Sequence, residues 1–472
     1  MAARFNPAVA IWIAGLALFA ALVGFLAATE PKLAIAAAIA AAFVLIVFVD
    51  LAAGLAIFGF FSFLELLQLG SAVSVGKLGG VLLGIGWLAF VLTREDAKSD
   101  FLSAYPGVSV LLGLFLGWVA LSSLWAESSG AVTSSLWRYA LNAILFLIVF
   151  SAVRTRRQAV MVIGGFLAGA TAAGIYGLLF ASAVVPIGSA GRLTGTNLDP
   201  NELASVLVAG MALSVGFAAN VKDPGLRLAA VSAGGFCFLA ATLTGSRGGL
   251  VAITCMIIGA VIFGGRWRAQ LAVGGVVIAL LGAFYITSLA PAPVRERITQ
   301  TAGESTQQEG RTTLWEVAGR MIRAHPINGV GAGNFQNSSR HYVLQPGTLA
   351  RSDEVFTGEK VTHNTYLQTA AELGLVGFGL FIAIIAFSFA CLVRAAGRFR
   401  DCLDVRGEAL ARSMIVAMIG LLVADFFISE MFSKQLWLML GVGPALLGIA
   451  ERTAREARAP EAAAVTARSG RA

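Results

Sequence analysis

Histidine is scarce in this chain, and its placement is uneven. His325, His341 and His363 all fall in one polar interruption of an otherwise apolar sequence, running from Pro291 to Thr365. An imidazole changes charge near neutral pH, which suits it to moving a proton. His363 sits in Thr362-His363-Asn364-Thr365-Tyr366, where apolar sequence resumes. Thr362 reads as the cap of a helix beginning near Asn364, which puts the imidazole at the lip of the membrane. His325 precedes Pro326 and reads as a turn residue more readily than as a catalyst.

Two short polar segments upstream carry arginines. In the first, Gly191-Arg192-Leu193-Thr194-Gly195-Thr196-Asn197-Leu198 precedes Asp199-Pro200-Asn201-Glu202. Asp199, Pro200 and Glu202 have the types of an N-cap, a first-turn proline and a third-position acid, so a helix starts there. Arg192 beside a helix N-terminus makes an anion site; the alternative is a capped loop with a solvated arginine. In the second, Thr244-Gly245-Ser246-Arg247-Gly248-Gly249, Ser246 caps the next helix and Arg247 enters its first turn. A cation at the positive end of a helix is unfavourable unless an anion lies between them. The alternative is an arginine reaching lipid phosphate.

The long interruption carries its own pattern. Leu314, Val317, Ala318, Met321 and Ile322 follow a helical spacing, giving an amphipathic helix from near Arg311 to before Pro326, with Arg311, Arg320 and Arg323 on its polar side. Its apolar stripe must pack on the membrane surface or on the tops of the spans. The glycine run from His325 to Phe335 implies a tight turn or a close backbone approach to a ligand. It lacks the lysine of a Walker loop.

These segments must be held by membrane helices. The chain is 58% hydrophobic and 13% charged, with a mean hydropathy of +0.82, whereas soluble domains carry about 25% charged residues. Approximate span cores are 8–28, 33–49, 51–68, 75–93, 107–125, 135–153, 158–184, 201–219, 227–243, 248–264, 270–290, 366–394, 409–429 and 434–450. The total is about 12–14, since the run from Leu33 to Leu69 would measure about 55 Å as one helix and divides better near Asp50. The first apolar run reads as a retained helix rather than a cleaved signal.

Basic loops set the orientation. Arg94 with Lys98, Arg154 to Arg157, Lys222 with Arg227, Arg266 with Arg268, and Arg394 to Arg412 are separated by even numbers of spans and face the cytoplasm. Ala126–Ser134, Pro186–Pro200, Thr244–Ser246 and Pro291–Thr365 then lie outside, and both termini inside. The net charge of +8 reports this topology rather than nucleic-acid binding. Cys237, Cys255, Cys391 and Cys402 all lie outside the long loop, so it has no disulfide staple, and no cysteine cluster points to a metal. The expected organisation is N-terminal spans (1–185), spans with arginine-bearing outer loops (186–290), an extracytoplasmic lid (291–365), C-terminal spans (366–450) and a basic, disordered cytoplasmic tail (451–472).

The motifs Thr244–Gly249, Gly310–Trp315, His325–Phe335 and His363–Gly377, in this order, resemble the O-antigen ligase and polymerase superfamily, and Gly191–Asn201 is similar to that family too. The resemblance covers roughly residues 190–450. It implies an all-α, GT-C-like polytopic membrane glycosyltransferase on the outer side of the bacterial inner membrane, working without metal or other cofactor. Its partners would be a glycan on undecaprenyl pyrophosphate, a glycan or glycolipid acceptor, and membrane lipids. By matching motif, Arg192, Arg247 and Arg311 would hold the pyrophosphate and His363 would be the base. Asn201, Ser246, His325, Asn364 and Tyr366 would lend support. Glu202, Asp353 and Glu354 are further carboxylates near these motifs. The rival reading is a flippase for lipid-linked oligosaccharides, which would carry charges deep in several spans. Here charges keep to the edges, at Glu65, Arg138 and Asp425.

Overall fold

A computed structural model describes residues 21, 24, 25, 27–63, 75–93, 104–180, 192–194, 199–290, 292–299, 306–343 and 361–469. The first expected span falls almost wholly outside these residues, as do Arg94, Lys98, Asp353 and Glu354. The described residues form sixteen α-helices. They are α1 (Pro31–Val49), α2 (Leu51–Phe61), α3 (Val75–Thr93), α4 (Pro106–Leu121), α5 (Ser129–Ala152), α6 (Arg156–Phe180), α7 (Pro200–Asn220), α8 (Pro224–Leu243), α9 (Arg247–Phe263), α10 (Arg268–Phe284), α11 (Ala292–Thr299), α12 (Thr306–Ala324), α13 (Phe335–Val343), α14 (Thr365–Asp401), α15 (Val405–Ala424) and α16 (Lys434–Ser469).

Eight helical segments among the described residues are long and apolar enough to cross a membrane, and shorter apolar helices lie at Ala37–Val49, Leu51–Phe61, Leu78–Leu92 and Arg247–Phe263. The protein is thus an all-α polytopic membrane protein. Asp50 does divide the early apolar run: its carboxylate accepts hydrogen bonds from Ala52 N and Ala53 N and caps α2. α7 and α15 are the most enclosed helices and pack along each other; α10 is the most exposed. The last helix does not stop at the expected edge near residue 450 but continues to Ser469.

The loops sort to two ends. At one, Arg156 pairs with Asp404 at 2.6 Å, and Arg266 and Arg412 both pair with Glu408, at 2.7 and 2.8 Å. There too Asn220 Nδ2 donates to Arg406 O at 3.0 Å, and Arg452 donates to Arg154 O. The loops grouped by counting charges therefore meet one another. At the other end the long loop rests on the short one at Ser122–Ser128, which has no Lys or Arg. Asn334 Oδ1 accepts from Ser128 N at 2.8 Å, and Ser122 Oγ accepts from Ala332 N at 3.1 Å.

Candidate active site

Asn201 is a hub for the two upstream segments. Asp199 caps α7 by accepting from Asn201 N at 2.7 Å, as its sequence position predicts. The Asn201 side-chain oxygen accepts from Ser246 Oγ at 2.9 Å and from the Arg192 guanidinium at 3.3 Å, and Arg192 Nε donates to Thr244 O at 2.8 Å. Ser246 is buried and caps α9 through Gly249 N at 3.1 Å, so Arg247 does take the first helical position. Two loops distant in sequence thus become one guanidinium-bearing surface.

Arg311 joins this surface from α12. Burial lowers its pKa from the ordinary arginine value, while the nearby Asp199 carboxylate raises it. Among the described residues Arg311 makes no hydrogen bond or ion pair. Burying a cation is costly unless it is paired.

His363 lies in a clamped turn. Its φ of 50° is in the left-handed region, unfavourable for a residue with a Cβ. The cap is Asn364 rather than the expected Thr362: the Asn364 side chain accepts from Tyr366 N and Leu367 N, both at 3.0 Å. Asparagine has the stronger N-cap preference because its amide oxygen reaches two amides at once. Thr362 closes the turn instead, its hydroxyl donating to Asn364 O at 2.8 Å. Thr365 ties the turn to the break between α15 and α16, its N–H reaching Asp425 O at 2.9 Å and Ile428 O at 2.8 Å.

Aromatic rings link this turn to the arginine surface. Trp315, on α12, donates its indole N–H to Thr362 O at 2.9 Å and stacks edge-on to Phe426. Tyr366 and Phe427 also pack on Phe426, and a Cβ at Gly248 would lie 2.7 Å from Phe427. The first turn of α9 therefore touches the break that holds His363. The Tyr366 hydroxyl donates to Leu422 O at 2.6 Å, which gives it an anchoring role. In the same break Asp425 is 1% exposed, and among the described residues neither carboxylate oxygen has a hydrogen-bond partner. The sequence offered it only as an edge charge.

The lid helix α12 begins at Thr306, earlier than expected, and its apolar stripe packs on the loop's own Val330, Phe335 and Tyr342 and on Ala371 of α14. Arg320 corrects the polar-face assignment. It is 6% exposed, donates to Tyr342 O at 2.9 Å, and ties α12 to α13. The glycine turn does approach backbone closely, but the backbone is that of a helix. α14 breaks at Gly374 (φ 65°, ψ −175°), and the lid fills the break. Val330 N donates to Ala371 O at 3.0 Å, Gly331 N to Glu372 O at 2.8 Å, and Leu375 N to Pro326 O at 2.8 Å. A Cβ on Gly329 would collide with Glu372 O, and one on Gly374 with Ile327 O.

The other two histidines stand apart from this arrangement. His325 is exposed and closes the end of α12 through its backbone, accepting from Gly329 N at 3.0 Å. His341 is exposed on α13, with Nε2 3.4 Å from Glu127.

Taken together, the fold defines a polytopic helical membrane protein with a guanidinium surface, a clamped histidine and a docked loop at one end. Residues 232–382 match the family described as O-Antigen ligase. The matched stretch contains Arg247, Arg311, the glycine turn and His363; Arg192 and Asn201 precede it, and Asp425 follows it. No curated protein matches the chain.

Proposed function

We propose that this protein is a GT-C-type glycosyltransferase of the bacterial inner membrane, moving a glycan from undecaprenyl pyrophosphate to an acceptor hydroxyl on the outer side. The observation that carries this reading is the Asn201 hub, which joins Arg192 to the start of α9, together with the aromatic bridge from there to the His363 turn.

Arg192, Arg247 and Arg311 hold the donor's pyrophosphate. A guanidinium keeps its charge at any working pH and offers paired donors to phosphate oxygens, so it can take the part a divalent cation plays elsewhere. The acceptor oxygen attacks the anomeric carbon while the bond from that carbon to the pyrophosphate breaks. The electron pair leaves on the phosphate oxygen, where fixed guanidinium groups stabilise the growing charge. The hydroxyl proton passes to the His363 imidazole. One displacement inverts the anomeric centre. A ligase and a polymerase share these steps and differ only in the acceptor.

The test is purified protein in lipid nanodiscs with a lipid-linked glycan and an acceptor glycolipid. Glycosylated acceptor and undecaprenyl pyrophosphate are expected in equal amounts. In liposomes, movement of the intact lipid-linked glycan between leaflets without release of pyrophosphate would overturn the reading in favour of a flippase.

A further inference from the structure

Glu372 is a charged residue, 1% exposed, in the short helical piece of α14 between His363 and the Gly374 break. Its carboxylate is not idle. One oxygen accepts from Gly333 N at 2.8 Å and the other from Gln368 Nε2 at 3.0 Å. Gly331 and Gly333 both have positive φ. Successive N–H groups in such a turn form a concave nest suited to an anion. Here the amides are taken within the protein, Gly331 N by Glu372 O, Ala332 N by Ser122 Oγ and Gly333 N by the Glu372 carboxylate, which leaves none of the three for the donor's phosphates.

The contacts continue toward the catalytic turn. Gln368 is 6% exposed, and its Oε1 lies 3.5 Å from the hydroxyl of Thr362, which is fully buried beside His363. That same hydroxyl accepts from Asn364 N at 3.1 Å and donates to Asn364 O at 2.8 Å. A continuous buried path thus runs from the lid's Gly333 through Glu372 and Gln368 to Thr362. The lid reaches Thr362 a second time from above, through the Trp315 indole.

The geometry points to Glu372 as a positioning residue that couples seating of the lid to the orientation of His363. The inference rests on His363 being the base. When the glycine turn is seated, the Gly333 amide holds the Glu372 carboxylate, which holds the Gln368 amide against Thr362. When it is not seated, Glu372 keeps only Gln368 as a donor and the His363 turn loses one of its two ties to the lid. Closure and catalytic competence then become one event.

Two readouts test this, one of them independent of activity. Hydrogen exchange of the segment 329–335 in nanodiscs should speed up strongly in Glu372→Ala and less in Glu372→Gln, whose amide oxygen can still accept from Gly333 N. Exchange in the α7 and α15 core should not change. In the transfer assay kcat should fall about 100-fold in Glu372→Ala, the scale of a small misplacement of a catalytic group, with donor KM within about twofold of wild type. Glu372→Gln should recover most of that loss. The Gln368→Ala and Glu372→Ala effects should be non-additive, since both break one path. Unchanged exchange at 329–335 in Glu372→Ala would overturn the proposal. So would a loss expressed in donor KM alone, or additive effects in the double variant. If the wild-type protein transfers no glycan, the function proposed above fails, while the exchange measurement still decides whether Glu372 seats the lid.

Discussion

The two ends of this bundle use arginine in different ways. At the end expected to face the cytoplasm, Arg156 lies against Asp404, and Arg266 and Arg412 share a fully buried Glu408. Those charges are neutralised inside the protein, and their work is to fix loops. At the other end, Arg192 donates to the Thr244 carbonyl and the Asn201 side-chain amide, and Arg311 lies in the field of Asp199. The contrast is between ion pairs that fix loops at one end and, under the proposed function, arginines that hold the donor at the other. Backbone strain does not draw the same line: among the described residues, the two non-glycine positions with positive φ, His363 and Leu403, lie one at each end.

Substitutions can break or sharpen that contrast. The largest effect is expected for His363→Ala, with turnover lowered by about 10²–10⁴-fold in protein that still folds, measured as released undecaprenyl pyrophosphate. Arg247→Ala should cost about 10²–10³-fold through lost stabilisation of the leaving group. Wild-type turnover by either variant would end the assignment. Glu408→Ala should behave in the opposite sense. Stranding Arg266 and Arg412 should cost about 3–5 kcal/mol of stability, read from unfolding in detergent, while the molecules that remain folded turn over normally. A folded but inactive Glu408→Ala protein would erase the distinction between the ends. Arg311→Ala should raise donor KM about tenfold, with partial recovery in Arg311→Lys, which keeps the charge and loses the planar fork. The smallest effect belongs to Arg156→Ala, at most about 1 kcal/mol, because that pair is partly solvated.

Much of this was legible in the sequence, and the parts that were not share a cause. Helix limits emerged where a strong local signal marked them, as at Asp50, Asp199-Pro200 and Ser246. Val75–Thr93 matches the expected span to the residue. What local pattern could not reveal was the partner across space. Arg320 sits on the polar arc of α12 by spacing, yet α13 folds over it. Leu373-Gly374-Leu375 reads as unbroken apolar helix, because the break at Gly374 is stabilised by amides and carbonyls of a turn more than forty residues earlier. Thr362 and Asn364 are both good caps, and only the hydrogen bonds distinguish them. Asp425 looked like an edge charge because nothing in the sequence says that a membrane-edge carboxylate will be sealed from water.

The interlock between the glycine turn and the Gly374 break bears on modularity. Exchanging the lid with that of a relative, cut at the ends of the loop, would leave Ala371 O, Glu372 O and the Glu372 carboxylate facing a foreign backbone with no guarantee of matching donors. Each buried group so orphaned costs on the order of 1–3 kcal/mol. The unit that can be transplanted therefore runs past the visible loop to about Val376. Chimaeras meant to exchange acceptor specificity should place their downstream junction inside the membrane helix, below the break.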